Sequence, residues 1–181
     1  MLQIRQADPE DLPALITLYD GVIERFQAQT GNMGWRKGVY PTEKDFQRAI
    51  QAGTMYVGEL EGRLAAGMIV KQGTDQSYGG APWRVEAADS ETAVIHTLGV
   101  SPACPRRGLA LQMIRGAEAL AREKGWKALR LDVLDVNEPA HRLYKRAGFQ
   151  YICTKKIFYE SVGLADFLLY EYPVEQPEGS K

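Results

Sequence analysis

The chain has 181 residues, 45% hydrophobic and 25% charged, with a formal net charge of −1, which is the balance of one globular domain with a core of its own. A charge this close to zero excludes the dense basic surface by which nucleic acid is held, and no stretch approaches the roughly 20 apolar residues that span a bilayer. Its two cysteines, Cys104 and Cys153, make no disulfide framework and suit a reducing compartment.

The amino-terminal MLQIRQADPEDL has no charged leader before a long apolar run, so it does not read as a secretory signal. A soluble, cytoplasmic protein is expected, with one domain over residues 1–172 and a short, frayed polar tail, PVEQPEGSK, over 173–181.

LQIRQA alternates as a strand does. Asp8-Pro9-Glu10-Asp11 then opens a helix with a capping Asp, an early Pro and acids in the first turn. Leu12, Leu15, Ile16, Tyr19, Ile23 and Phe26 recur at helical spacing. GNMGWRKGVYP reads as a loop. Thr42-Glu43-Lys44-Asp45 opens a second helix that turns Phe46 and Ile50 inward and ends at Gly53. Met55–Glu59 and Arg63–Lys71 read as strands of a hairpin joined at Glu61-Gly62.

Residues 73–90 form a long polar connection, a kind that is usually functional or mobile. Beyond it come a strand at 92–100, a helix at 107–124, a strand at 128–133, a helix at 137–147 closed by Gly148, and strands at 149–153 and 167–172. The order β-α-α-β-β-β-α-β-α-β-β predicts an α/β fold, a mixed sheet with helices on both faces. It includes a right-handed parallel crossover between the strands at 92–100 and 128–133.

Two segments carry chemistry. In VIHTLGVSPACPRRGLALQMI (94–114) a strand runs through a short turn into a helix. The free N–H groups and positive dipole of that helix start suit a phosphate. Gly108 and the small Ala110 let an oxyanion approach the backbone, and Arg106 and Arg107 add charge. In LDVLDVNEPAHRLYKRAGF (131–149), Asn137, Ala140 and Tyr144 fall on one side of a helix.

Together the two segments resemble the signature motifs of the GNAT superfamily of N-acetyltransferases. The first is similar to its V-x-P followed by [Q/R]-x-x-G-x-[G/A], here Val100-Ser101-Pro102 and Pro105-Arg106-Arg107-Gly108-Leu109-Ala110. The second is similar to N-x-x-A-x-x-L-Y-x-x-x-G-F, complete here from Asn137 to Phe149. The departure is Pro105, where the family has Gln or Arg. Proline removes one N–H donor, and Arg106 offers its charge one position along.

The resemblance implies acetyl-CoA as co-substrate, with its pyrophosphate at Arg106–Ala110. It also implies that the backbone of Leu98, Gly99 and Val100 pairs with the pantetheine arm, and that Asn137 borders it. Transfer to an amine would pass through a ternary complex, with Tyr144 protonating the leaving thiolate. Taken alone, Tyr144 reads more often as a half-buried core residue.

A lone strand histidine such as His96 is more often structural. It shares a strand face with Val94, Leu98 and Val100 by the period of two, and its placement is similar to that of histidines in the arylalkylamine branch of the superfamily. That makes His96 a candidate base or relay, with Glu91 as an acid that could hold a water instead. His141 reads as a surface residue. Trp35, Tyr40 and Trp83, in irregular Gly-containing stretches, are candidates for an acceptor pocket, and Glu91 is a fourth.

With two histidines and no ligand spacing, no metal is expected. The resemblance also allows a homodimer. The rival readings are a non-catalytic acyl-CoA sensor or scaffold, which would not need Tyr144, and a nucleotide-binding module, for which neither G-x-G-x-x-G after an early strand nor G-x-x-x-x-G-K-[ST] is present.

Overall fold

The computed structural model describes residues 2–29 and 34–175, with the side chain of Gln29 left aside. The Gly31–Met33 part of the expected loop and the tail beyond Glu175 lie outside the described residues.

Strand β1 (Gln3–Gln6) leads through a 3-10 turn at Pro9–Asp11 into α1 (Leu12–Gln29). Asp11 accepts from the backbone N–H of Asp8 at 2.8 Å, closing the helix entry. Helix α2 (Glu43–Gln51) is capped reciprocally: Asp45 N–H donates to Thr42 Oγ1 at 3.3 Å, and Thr42 N–H to Asp45 Oδ2 at 2.8 Å. Strands β2 (Met55–Leu60) and β3 (Arg63–Gln72) meet in a two-residue turn with Glu61 at φ 54° and Gly62 at φ 74°. Two positive φ values in succession match the right-handed twist of the strands they join.

Strand β4 (Thr92–Val100), helix α3 (Leu109–Lys124), strand β5 (Ala128–Leu134), helix α4 (Glu138–Ala147), and strands β6 (Gln150–Tyr159) and β7 (Gly163–Pro173) complete the order. The seven strands form one sheet in the order β1-β2-β3-β4-β5-β7-β6. β4 and β5 pair parallel; the other pairs are antiparallel.

Helices cover both faces. Met113, Ile114, Ala117 and Ala121 of α3, with Tyr144 and Ala147 of α4, pack on Met68, Val70, Leu129 and Leu131. Leu15, Leu18, Tyr19 and Val22 of α1, with Phe46 and Ala49 of α2, pack on Met55, Val57 and Ile69 from the other side. Burying such side chains supplies roughly 1.5–3 kcal/mol each before entropy is counted. Among the described residues no helix is long and apolar enough to cross a membrane.

Three expectations need correcting. β6 and β7 run to Tyr159 and back from Gly163, well beyond 149–153 and 167–172. β6 is an edge strand in which Lys155, bonded to Gly79 O, alternates with the packed Cys153 and Ile157, so its apolar alternation is interrupted. Lys156 is paired with Asp166 opposite it, at 3.1 Å. The tail does not begin at Pro173. That residue closes β7, and Val174 is buried with its N–H bonded to Lys127 O at 2.9 Å.

His141 is no surface residue. It is buried, with Nδ1 2.9 Å from the Tyr170 hydroxyl and Nε2 3.1 and 3.0 Å from the carbonyls of Leu134 and Asp135. It ties the start of α4 to the end of β5.

The 73–90 connection is stitched to the sheet. Tyr78 is fully buried. The Arg130 guanidinium lies 4.4 Å above the Trp83 ring. Glu171 binds Arg130 Nε at 3.0 Å through one oxygen and accepts from the N–H groups of Arg84 and Val85 through the other, at 2.9 and 3.0 Å.

Candidate active site

β4 and β5 pair over three residues only, ending at Val94↔Arg130. Beyond that they part, and a cavity of about 660 Å³ opens between them. Ile95–Val100 form one wall and Asp132–Leu134 the other. Asn137, Ala140, Leu143 and Tyr144 of α4, Ala110 of α3, Trp35 and Tyr40 of the loop before α2, and Tyr159 of β6 also line it.

The wall of β4 is not regular. Its register with β3 steps from Ile69↔His96 to Gly67↔Gly99, and the extra residue lies around Thr97, whose φ is +51°. Such a bulge bends a strand away from its partner. It also breaks the period of two, so Leu98 and Val100 pack on the α3 face whereas Val94 packs with Tyr78 and Phe167 on the other. The expectation that His96, Leu98 and Val100 share a face is therefore corrected; His96 stays on the Val94 side.

The bulge is pinned from outside by the Tyr19 hydroxyl, which donates to Thr97 O. Tyr19 fits there because position 99 is glycine: a Cβ on Gly99 would lie 2.9 Å from its ring.

At one end of the cavity stands the start of α3. Gly108 is its N-cap, at φ +67°, and makes no side-chain cap. Backbone donation within the helix begins with Gln112 N–H to Gly108 O at 3.1 Å, which leaves the N–H groups of the first turn available. Nothing stands within 4 Å of where a Gly108 Cβ would be; the glycine serves the left-handed backbone and the open approach. Arg106 and Arg107 flank it on the exposed surface, Arg107 with Glu61 at 3.2 Å. Leu109 points its side chain into the core, so its contribution to an anion is its backbone alone.

Tyr144 is buried, its ring edge-on to Phe149 at 5.5 Å. Its hydroxyl makes no hydrogen bond among the described residues. Burial, and then the Asp132 carboxylate, push its ionisation well above the ordinary tyrosine range, so it keeps its proton at neutral pH. His96 is pushed the opposite way: burial favours the neutral ring, and the charges of Asp132 and Asp75 oppose that only in part. The two side chains therefore stand as a protonated phenol and an unprotonated imidazole on one cavity, which are the states of an acid and a base.

Asn137 caps α4, its Oδ1 accepting from Ala140 N–H at 3.3 Å. That leaves the amide nitrogen for the cavity.

Of the four residues considered for an acceptor pocket, Trp35 and Tyr40 line the cavity; Trp83 and Glu91 do not. Trp83 lies between Tyr78 and Arg130. Glu91 stands at the far end of β4, paired with Lys127 at 2.6 Å. Unforeseen were Asp45, Asp75, Asp132 and Glu160, which line the cavity opposite a single lysine, Lys71, among the described residues. The signal for Asp132 was present: it is a charge in the middle of the apolar strand ALRLDVL. A cavity bordered by a free helix start, a bare strand edge, a retained phenol proton and an excess of carboxylates can hold an anion at one end and a cation at the other.

Comparison with known proteins bears on this geometry. The model of the acetyltransferase (GNAT) family matches residues 19–149, well over half of the chain. The chain belongs to that family. Among solved structures, a GNAT-family acetyltransferase from Streptococcus agalactiae aligns with a TM-score of 0.80 at 22% identity, over 97% of this chain and 96% of its own. One from Listeria monocytogenes aligns at 0.73 and 26%, over 95% and 94%. The Salmonella typhimurium protein yncA, solved with its cofactor acetyl-CoA, aligns at 0.70 and 16%, over 100% and 98%. No curated protein matches this sequence significantly. The chain is thus an acyltransferase with the GNAT fold.

Proposed function

We propose that this GNAT enzyme transfers the acetyl group of acetyl-CoA to an amine by direct attack in a ternary complex. The observation that carries this reading is the continuity of the cavity. It runs from Ala110 in the first turn of α3, along the unpaired edge of β4, to Tyr144 and His96.

The residues fit the co-substrate on features of this chain. The first turn of α3, with Arg106 and Arg107 beside it, would hold a pyrophosphate. The backbone of Leu98, Gly99 and Val100 would take a pantetheine amide as a strand takes a neighbour, and Asn137 would add a side-chain donor. The buried Thr97 Oγ1 has no hydrogen-bond partner among the described residues, and a bound ligand in this cleft would relieve that.

Acetyl-CoA supplies the activated acyl group. His96 takes a proton from the amine, which is cationic in water at neutral pH. Tyr144 gives its proton to the departing sulfur and is restored by the second proton, which the nitrogen sheds as it becomes an amide. Backbone N–H groups at the bulge stabilise charge on the carbonyl oxygen. Trp35 and Tyr40 face the acceptor, and the surplus of carboxylates draws a cation into the cavity.

Calorimetric titration with acetyl-CoA tests the first half: binding with one site per chain is expected, and absence of binding removes the reading. Free-thiol release on adding amines tests the second.

A further inference from the structure

His96 does not stand alone where the strands part. The last paired residues are Val94 and Arg130. Two positions further along each strand come His96 and Asp132, at the same level on either side of the split and, by the period of two, on the face of their predecessors. That face is the one covered by the 73–90 connection, since Val94 packs with Tyr78 and Arg130 lies on Trp83.

Both His96 and Asp132 line the cavity. The Tyr78 hydroxyl donates to Asp132 Oδ1 at 2.5 Å, which fixes the carboxylate in place. An acid set between Leu131 and Val133, both buried, costs stability. Departures from local folding rules of this kind gather at functional sites.

We propose that Asp132 is a positioning residue for amine deprotonation, its charge holding His96 in place and stabilising the imidazolium formed there. The proposal rests on the acetyl-transfer reading above. The acceptor enters as an ammonium, R–NH3⁺, and gives one proton to the neutral ring of His96. One N–H bond breaks and one forms. The freed electron pair is the one that attacks the thioester carbonyl, and the ring later returns its proton to water. The positive charge moves from amine to imidazole within the cavity, where an unpaired charge away from water is costly; Asp132 is there to meet it.

The other groups that face the pair are Lys71 of β3, Asp75 of the connection, Tyr159 of β6, Tyr144 of α4 and Tyr40 of the loop before α2. Lys71 disfavours the imidazolium and Asp75 favours it, while burial pushes Asp132 toward its neutral form and the Tyr78 hydroxyl, then the charge on His96, oppose that.

The test is an NMR titration of the His96 ring alongside the pH profile of kcat/KM, in wild type, Asp132→Asn and Asp132→Glu. Asn keeps an acceptor for Tyr78 and removes the charge; Glu keeps the charge. Loss of a nearby opposite charge should lower the His96 midpoint by about one pH unit in Asp132→Asn, and the lower limb of kcat/KM should move down with it. Asp132→Glu should restore both toward wild type. A folded Asp132→Asn with the His96 midpoint unchanged overturns the proposal, and so does a ring midpoint that moves while the kinetic limb stays put. A wild-type enzyme that releases no thiol with any amine would fail before any variant is compared, and that failure would belong to the acetyl-transfer reading.

Discussion

The hydroxyl of Tyr144 reaches the cavity from a ring wedged against Phe149, and makes no hydrogen bond among the described residues. Tyr144→Phe therefore removes a proton and leaves the packing. General acids contribute about 10²–10⁴-fold; kcat should fall toward the lower end, roughly 10², with acetyl-CoA affinity nearly unchanged. Single-turnover kinetics checks this, because product release cannot then mask the chemical step.

For His96 the sign follows from burial. In the proposed role the neutral ring is the base, and burial favours the neutral ring, so the inactive imidazolium forms only at more acid pH. The lower limb of kcat/KM should lie below the ordinary histidine value of about 6.5, with activity rising as pH rises through it. His96→Gln should abolish that limb. Its survival with an unchanged midpoint would assign the base to another group.

Both residues could be picked out of the sequence, Tyr144 from its motif and His96 from its strand. The partner of His96 could not. The proximity of Asp132 depends on where two strands stop pairing, and no local pattern states that.

At the scale of elements, the start of α3 and the 73–90 connection make separate predictions. Gly108 has a left-handed backbone, which a residue with a Cβ adopts at a cost of roughly 1–2 kcal/mol, with Asp and Asn among those that tolerate it best. Gly108→Asp should therefore fold with a modest loss of stability. A carboxylate at the mouth of a phosphate site should nevertheless weaken acetyl-CoA binding severely. A melting curve with a calorimetric titration on the same sample separates the two effects, and unaltered affinity in the folded variant would displace the pyrophosphate from this turn.

In the connection, Glu171→Ala would leave the Arg130 guanidinium buried without its carboxylate and strip an acceptor from two N–H groups. Removing one partner of a buried pair costs about 3–5 kcal/mol, and urea unfolding should show a loss of that order. The composition of 73–90, polar and without period, suggested a segment either functional or mobile. What holds it down is one arginine and one glutamate from distant strands, invisible to any reading of the segment itself. The same limit explains His141, which stands among the charged residues of α4 yet bonds the backbone at the end of β5. It also explains β4, where strict alternation placed Leu98 and Val100 beside His96 until the bulge at Thr97 turned them over.

For the whole molecule, the order of helices and strands, the mixed sheet and the helices on both faces were legible from periodicity and punctuation. The extent of β6 and β7 was not, because Lys155 interrupts the packed face of the edge strand β6 to bond Gly79 O, and Lys156 follows it on the other face. The parting of β4 and β5, which creates the cavity, is a property of the assembled sheet. A co-substrate that fills the parting binds the folded state alone, so acetyl-CoA at 100 times its Kd should stabilise the protein by about 2.7 kcal/mol and raise Tm by roughly 5–10 °C. Differential scanning fluorimetry with acetyl-CoA against ATP checks it: a shift with the nucleotide of equal size would point to a generic phosphate site.

Binding alone does not distinguish an acyl-CoA sensor from an enzyme that moves the acetyl group. The measurement that does is thiol release from acetyl-CoA across a panel of amines, with the acetylated product weighed by mass spectrometry. We expect release that depends on both the chain and an amine, with one N-acetylated amine formed for each free thiol. Tight binding of acetyl-CoA with no amine-dependent release across the panel would contradict the account.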